Sequence, residues 1–202
     1  MAGRVTMYCV AAALFVPAVA HANGDPASDY LLSQELFLPF NAKIDGDAAA
    51  RLRKLLDSAA KQKFPIRVAV IGAASDLGTA FSLLGKPQRY AEFLGLELSF
   101  FYRDRLLVVM PNGFGYAVNG EPDPKVGPRL KSISPPGPDA TKEVAAATVA
   151  IQRIAAAEGR KIELPSDSTT RDRITIAAAA TAAVALLAAF LLYRRRRQPS
   201  ES

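Results

Sequence analysis

The chain has 202 residues, half of them hydrophobic, with a formal net charge of +6, one cysteine and one histidine. Cys9 and His21 both lie ahead of everything that reads as a folded domain. A domain lacking both residue types excludes Cys/His zinc sites, Ser-His-Asp and Cys-His catalysis, and disulfides. Chemistry is left to carboxylates, Lys, Arg, Ser, Thr and Tyr, or to a metal held by oxygen ligands.

Residues 1–22 read as a secretory signal. Arg4 precedes a short apolar run from about Met7 to Ala20, and Ala20-His21-Ala22 places small residues at the spacing a signal peptidase cuts. The run is too short to span a bilayer, which takes about 20 residues. Cys9 lies too early in it for lipid attachment. Residues 23–159 then form one expected extracytoplasmic domain.

Leu31 to Pro39 reads as an extended segment, an edge strand stopped by Pro39. Asp45-Gly46-Asp47 offers helix caps. Leu52, Leu55, Leu56 and Ala59 recur at three and four, which predicts a helix to about Lys63. Ile66–Ile71, bounded by Pro65 and Gly72, is β-branched and predicts a buried strand. Residues 72–85 read as a loop with one helical turn. Pro87 suits the first position of a helix running to about Ser99, with Tyr90, Phe93, Leu94 and Leu98 inward. Arg105–Met110 predicts a second core strand, Asn112-Gly113 a turn, and Tyr116–Val118 a strand pairing back. Gly120 to Pro138, rich in Pro and Gly, reads as a long surface loop. Asp139 caps an expected helix from about Ala140 to Glu158, and Gly159 suits its exit. The order predicts a small α/β sandwich with a short mixed sheet, its unit from Ile66 to Met110 parallel and right-handed.

Residues 160–173 read as a polar tether. Residues 174–193 are apolar and uncharged. At 1.5 Å per residue such a run reaches about 30 Å, the thickness of the hydrocarbon core. Four arginines, Arg194 to Arg197, follow and mark residues 194–202 as a cytoplasmic tail. The expectation is a single-pass cell-membrane protein with its domain outside. The basic balance is largely a matter of topology: residues 23–173 carry 20 Lys/Arg against 18 Asp/Glu, so no nucleic-acid partner is expected.

Candidate sites are few. Gly78 and Gly85-Lys86 do not make a phosphate loop, because Pro87 stands where Ser or Thr would bind magnesium. Ligands collect at the C-terminal ends of parallel strands, which makes Ser75, Asp76 and Asn112 crevice candidates. Oxygen ligands there would suit Ca²⁺ or Mg²⁺. Turn-making is the plain alternative for all three. Glu92 and Asp104 are the other carboxylates near core elements. Asp104 precedes its strand, at the opposite sheet edge from Asp76, and Glu92 lies off the apolar stripe. No pair for general acid–base work emerges, no catalytic residue is assigned and no cofactor is expected.

The stretch from Arg51 to Val118 resembles the TPM-domain family. The likeness rests on the amphipathic helix, Ile66–Ile71, the Asp76 loop, the Tyr90-Ala91-Glu92-Phe93 helix opening and Asp104 before Arg105–Met110. It implies an α/β sandwich, often secreted and tethered by one span. For some members it implies calcium binding and phosphatase activity. Carried over residue by residue, the implied metal positions are Asp76, Glu92 and Asp104, which are not expected to form one site together. The chain departs from the family after Met110, where Pro111–Gly115 and a Pro-rich loop replace a basic, Gly-rich segment. The expected function is a non-enzymatic membrane-anchored module that binds a protein or envelope component. The alternative is a Ca²⁺- or Mg²⁺-dependent phosphatase-like hydrolase.

Overall fold

The computed structural model describes residues 24–162. It is an α/β fold with a five-stranded mixed sheet. In chain order come α1 (Pro26–Leu31), β1 (Leu36–Phe37), α2 (Gly46–Lys61), β2 (Ile66–Val70), a 3₁₀ segment (Ala74–Leu83), α3 (Pro87–Leu98), β3 (Arg105–Met110), β4 (Gly113–Val118), β5 (Glu121–Pro122), α4 (Gly127–Lys131) and α5 (Ala140–Ala157). The strands lie side by side in sequence order; β1, β2 and β3 are parallel, and β4 and β5 antiparallel. No helix among the described residues is long and apolar enough to cross a membrane. The segments expected as signal, span and tail lie outside the described residues.

Alternation of side chains along β2 and β3 divides the core in two. Ile66, Val68, Val70, Leu107 and Val109 face α2, α4 and α5. Ala69, Ile71, Leu106, Val108 and Met110 face α1, the 3₁₀ segment and α3. Both faces are buried, which is why these strands read as continuous apolar runs. The two parallel crossovers advance in the same direction across the sheet, yet α2 and α3 lie on opposite faces. They are therefore of opposite hand, and the right-handed turn expected of parallel crossovers can hold for only one.

Three sequence expectations need correction. The segment expected to be extended from Leu31 begins instead at the end of a helix, Pro26–Leu31, which Asp25 caps through Ala27 N (3.0 Å) and Pro26 starts. Only Leu36 and Phe37 pair as a strand. Residues 120–138 are not merely a loop: they hold β5 and α4, and Val126 and Leu130 are core residues. A five-residue helix is too short to display a period, so the sequence hid it. Residues 74–83 form a longer 3₁₀ stretch than one turn, kinked at Gly78, where φ is +50°. The helix from Asp139 packs on the sheet, as its stripe requires.

The N-terminus of α3 sits hard against β4. Gln88 accepts from Tyr116 N (3.1 Å) and donates to Tyr116 O (2.9 Å), filling ladder positions that two-residue β5 does not reach. The approach needs Gly115, since a Cβ there would overlap the Pro87 carbonyl.

Urea unfolding of the purified chain checks both features. Leu130→Ala is expected to cost roughly 2–4 kcal/mol, which a residue in a surface loop would not. Gly115→Ala is expected to cost about 1–3 kcal/mol through overpacking. Exposed Ser134→Ala should stay within about 0.5 kcal/mol of wild type.

Candidate acidic crevice

Parallel pairing brings the C-terminal ends of β1, β2 and β3 to one end of the sheet. The chain after β1, the turn after β2 and the N-terminus of α5 enclose a crevice there of about 530 Å³. Its lining includes Asn41, Lys43, Gly72, Ser75, Asp76, Asp139, Thr141 and Glu143. Each acidic group is placed by a different local rule. Asp76 folds back on the turn, and its Oδ2 accepts from Gly72 N (3.0 Å) and Ala73 N (2.9 Å). Asp139 caps α5 by accepting from Lys142 N (3.1 Å). Glu143 lies one turn into α5, in register with buried Ala147 and Ile151.

Asp76 is 3% exposed and Glu143 is 1% exposed. Both face Gly72: a Cβ built there would lie 3.8 Å from Asp76 Oδ2 and 3.9 Å from Glu143 Oε2. Glu143 Oε2 has no hydrogen-bond partner. Burial first, then the charges of Asp76 and Asp139, push the Glu143 carboxyl up to about 7. Lys43 also lines the crevice but forms no ion pair with either buried carboxylate. The arrangement is a concave site whose two buried carboxyl groups make no ion pair.

A second concavity of about 810 Å³ adjoins it through Ser75, which lines both. Tyr30, Phe40 and Phe81 line this groove and are exposed. Tyr30 and Phe40 hold edge-to-face positions about buried Phe37, with centroids 5.9 Å and 5.3 Å from it.

Of the residues singled out from sequence, Ser75 and Asp76 come together here. Asn112 does not join them. It donates to Gly85 O (2.6 Å) and lines a separate depression with Pro87 and Gln88. Glu92 lies on α3 and accepts from Gln88 Nε2 (3.1 Å). Asp104 is at the far end of the sheet, bonded to Arg105 at 3.3 Å. Among the described residues no group of three or more His, Cys, Asp or Glu side chains could hold a metal ion. Glu143 was missed from sequence. Its signal was available: an acidic residue on the apolar stripe of its helix, four before Ala147 and eight before Ile151.

Asp25 is a further buried carboxylate, and it is satisfied. The Tyr90 hydroxyl donates to it at 2.7 Å, and burial raises the pKa of both groups.

No family model, curated protein or solved structure matches the chain.

Glu143 sets a pH signature. Its folded pKa lies above its ordinary value of 4.5, so the folded state takes up a proton between about 4.5 and 7. Its stabilising contribution is full below that window and is lost as pH rises through 7. Relative to Glu143→Gln, the wild type should lose about 1–2 kcal/mol between pH 4.5 and 8, allowing for solvent screening at the open mouth. Paired urea titrations across that range check it; parallel profiles would remove Glu143 as the source.

Proposed function

We propose that the chain is a single-pass, membrane-anchored extracytoplasmic module that acts by binding rather than by catalysis. Its working surface is the acidic crevice with the adjoining aromatic groove. The occupant is a segment of an envelope or membrane protein that carries a Lys or Arg side chain beside an apolar one. One observation carries this reading: Asp76 and Glu143 are buried side by side without a counter-charge, and Ser75 joins their crevice to exposed Tyr30, Phe40 and Phe81. Two carboxylates withdrawn from water favour any cation that restores their balance. Aromatic faces beside them add area and cation–π attraction at small entropic cost. The absence of Cys and His after residue 22 and the weak acid–base inventory support binding over turnover. The likeness of residues 51–118 to TPM domains agrees with a tethered α/β module.

A second reading keeps a specific observation. Asp76 and Glu143 are oxygen ligands of the kind that Ca²⁺ or Mg²⁺ takes, so a metal-dependent, phosphatase-like hydrolase is the alternative. That site would need backbone carbonyls and water to complete its coordination.

Binding of the detergent-solubilised full chain to an array of short peptides separates the two. Peptides with Lys or Arg next to Leu or Phe should bind, and acidic or wholly polar ones should not. Asp76→Asn and Glu143→Gln should each weaken binding about tenfold, the loss expected when a charge-assisted contact goes. Equal binding of basic and acidic peptides would defeat the first reading. Thermal melts with Ca²⁺ or Mg²⁺ alone test the second. A cation at a hundredfold excess over its dissociation constant should add about 2.7 kcal/mol, abolished by Asp76→Asn.

A further inference from the structure

The opposite end of the sheet carries a different surface. The loop from α3 to β3 presents Phe100 and Phe101, 86% and 76% exposed, the two most exposed large hydrophobic side chains among the described residues. Exposed Leu96 lies a turn before them on α3. Nothing in the core explains adjacent aromatic rings standing in water; their neighbour Tyr102 instead turns in, donates to Arg105 O (2.9 Å) and lies under Arg67.

The described part of the chain also ends at this end. Arg105 opens β3 and pairs with Glu158 at the exit of α5. Arg160 donates to Gln62 O (3.0 Å), in the turn that leads into β2. Ile162 is tucked into the core nearby. Residues 163–173 then separate this point from the apolar run at 174–193. Whatever their conformation, they reach at most about 40 Å. The charge at this end suits an anionic surface. Lys61, Lys63, Arg103 and Arg160 are exposed there. Of the acidic groups, Asp104 and Glu158 are bonded to Arg105, Glu35 faces Arg67, and exposed Glu97 accepts from Ser28 Oγ (3.3 Å), which leaves Glu121 at the sheet margin and Asp57 on α2 against the four cations.

We propose that Phe100 and Phe101 seat in the headgroup–acyl boundary of an anionic lipid bilayer, so that the α3–β3 end lies on the membrane and the acidic crevice points away from it. Phenylalanines flanked by Lys and Arg are the chemistry of an interfacial contact. The inference rests on the reading of residues 174–193 as a membrane anchor, and the test separates the two.

The full chain, with Cys9→Ser and Phe101→Cys, is labelled with an environment-sensitive fluorophore. It is reconstituted into vesicles of phosphatidylcholine and phosphatidylglycerol. Ser134→Cys, three residues before Gly137, which donates to Pro111 O (3.0 Å) at the crevice end, is the control site. Retention in the vesicles through alkaline carbonate reads the anchor. Quenching by lipids brominated on the acyl chain reads the loop. Retained protein whose label at 101 shifts to the blue and is quenched roughly twofold, with the label at 134 unchanged, supports the inference. Retained protein whose label at 101 stays in water overturns it while leaving the anchor standing; another protein would then be the natural cover for the two rings. Protein lost on carbonate extraction overturns the anchor and the inference with it.

Discussion

The parallel pairing of β2 with β3 is the constraint on which the molecule depends. Its register, Ile66 against Arg105 through Val70 against Val109, stacks two apolar strands whose every interior side chain must be covered on both faces. That requirement calls for helices on each side, and α2, α4 and α5 on one and α1 and α3 on the other meet it. Parallel strands also give the sheet unlike ends. Strand C-termini, the Asp76 turn and the N-terminus of α5 gather at one. Strand N-termini, the exit of α5 and the Phe100 loop gather at the other. Helix α5, 18 residues long, runs between them and so ties the crevice to the opposite end of the sheet.

The two ends treat charge differently. At the exit end, Glu158 accepts from Arg105 and from the Tyr116 hydroxyl, and Arg105 lies over the Phe64 ring at 4.1 Å. Arg105 holds the Glu158 carboxyl below the usual range. At the α1 corner, Asp25 receives the Tyr90 hydroxyl and a backbone N–H. These groups are compensated, as buried charges generally must be. In the acidic crevice Asp76 takes two backbone N–H groups, but Glu143 Oε2 has no partner. A carboxyl whose pKa is pushed to about 7 by burial and by like charge marks a place where the fold tolerates a cost. Such uncompensated charge clusters where ligands bind. A cationic occupant would relieve it, which is what the proposed binding role asks of the crevice.

Much of the fold was legible because long elements advertise their period. Leu52, Leu55, Leu56 and Ala59 announced α2, and the runs at 66–71 and 105–110 announced the core strands. Asp45 and Asp139 cap α2 and α5 through their side chains as their positions suggested. What escaped was short. Helix α4 makes barely more than one turn, and β5 has two residues, so neither has room for a pattern. Helix α1 has six residues and lies almost wholly ahead of the leucine-rich stretch that suggested an extended segment. The site was legible in part: Ser75 and Asp76 follow from the rule that ligands gather at strand C-termini. Asn112 obeys the same rule and yet turns to Gly85, because the β3–β4 turn carries it away from the crevice.

By itself the sequence determined the longer helices and the two core strands, that this domain must work without Cys or His, and where the apolar runs and the arginine cluster lie. These properties are local: they depend on spacing, on chemistry at one position, or on run length. Only the tertiary structure decided that Glu143, 67 positions along the chain from Asp76, shares its crevice. It alone set α2 and α3 on opposite faces and brought the Phe100–Phe101 loop to the same end as the C-terminus of α5. Such facts depend on how the sheet is ordered and covered, and proximity across a sheet is a property of packing that no periodicity along the chain encodes.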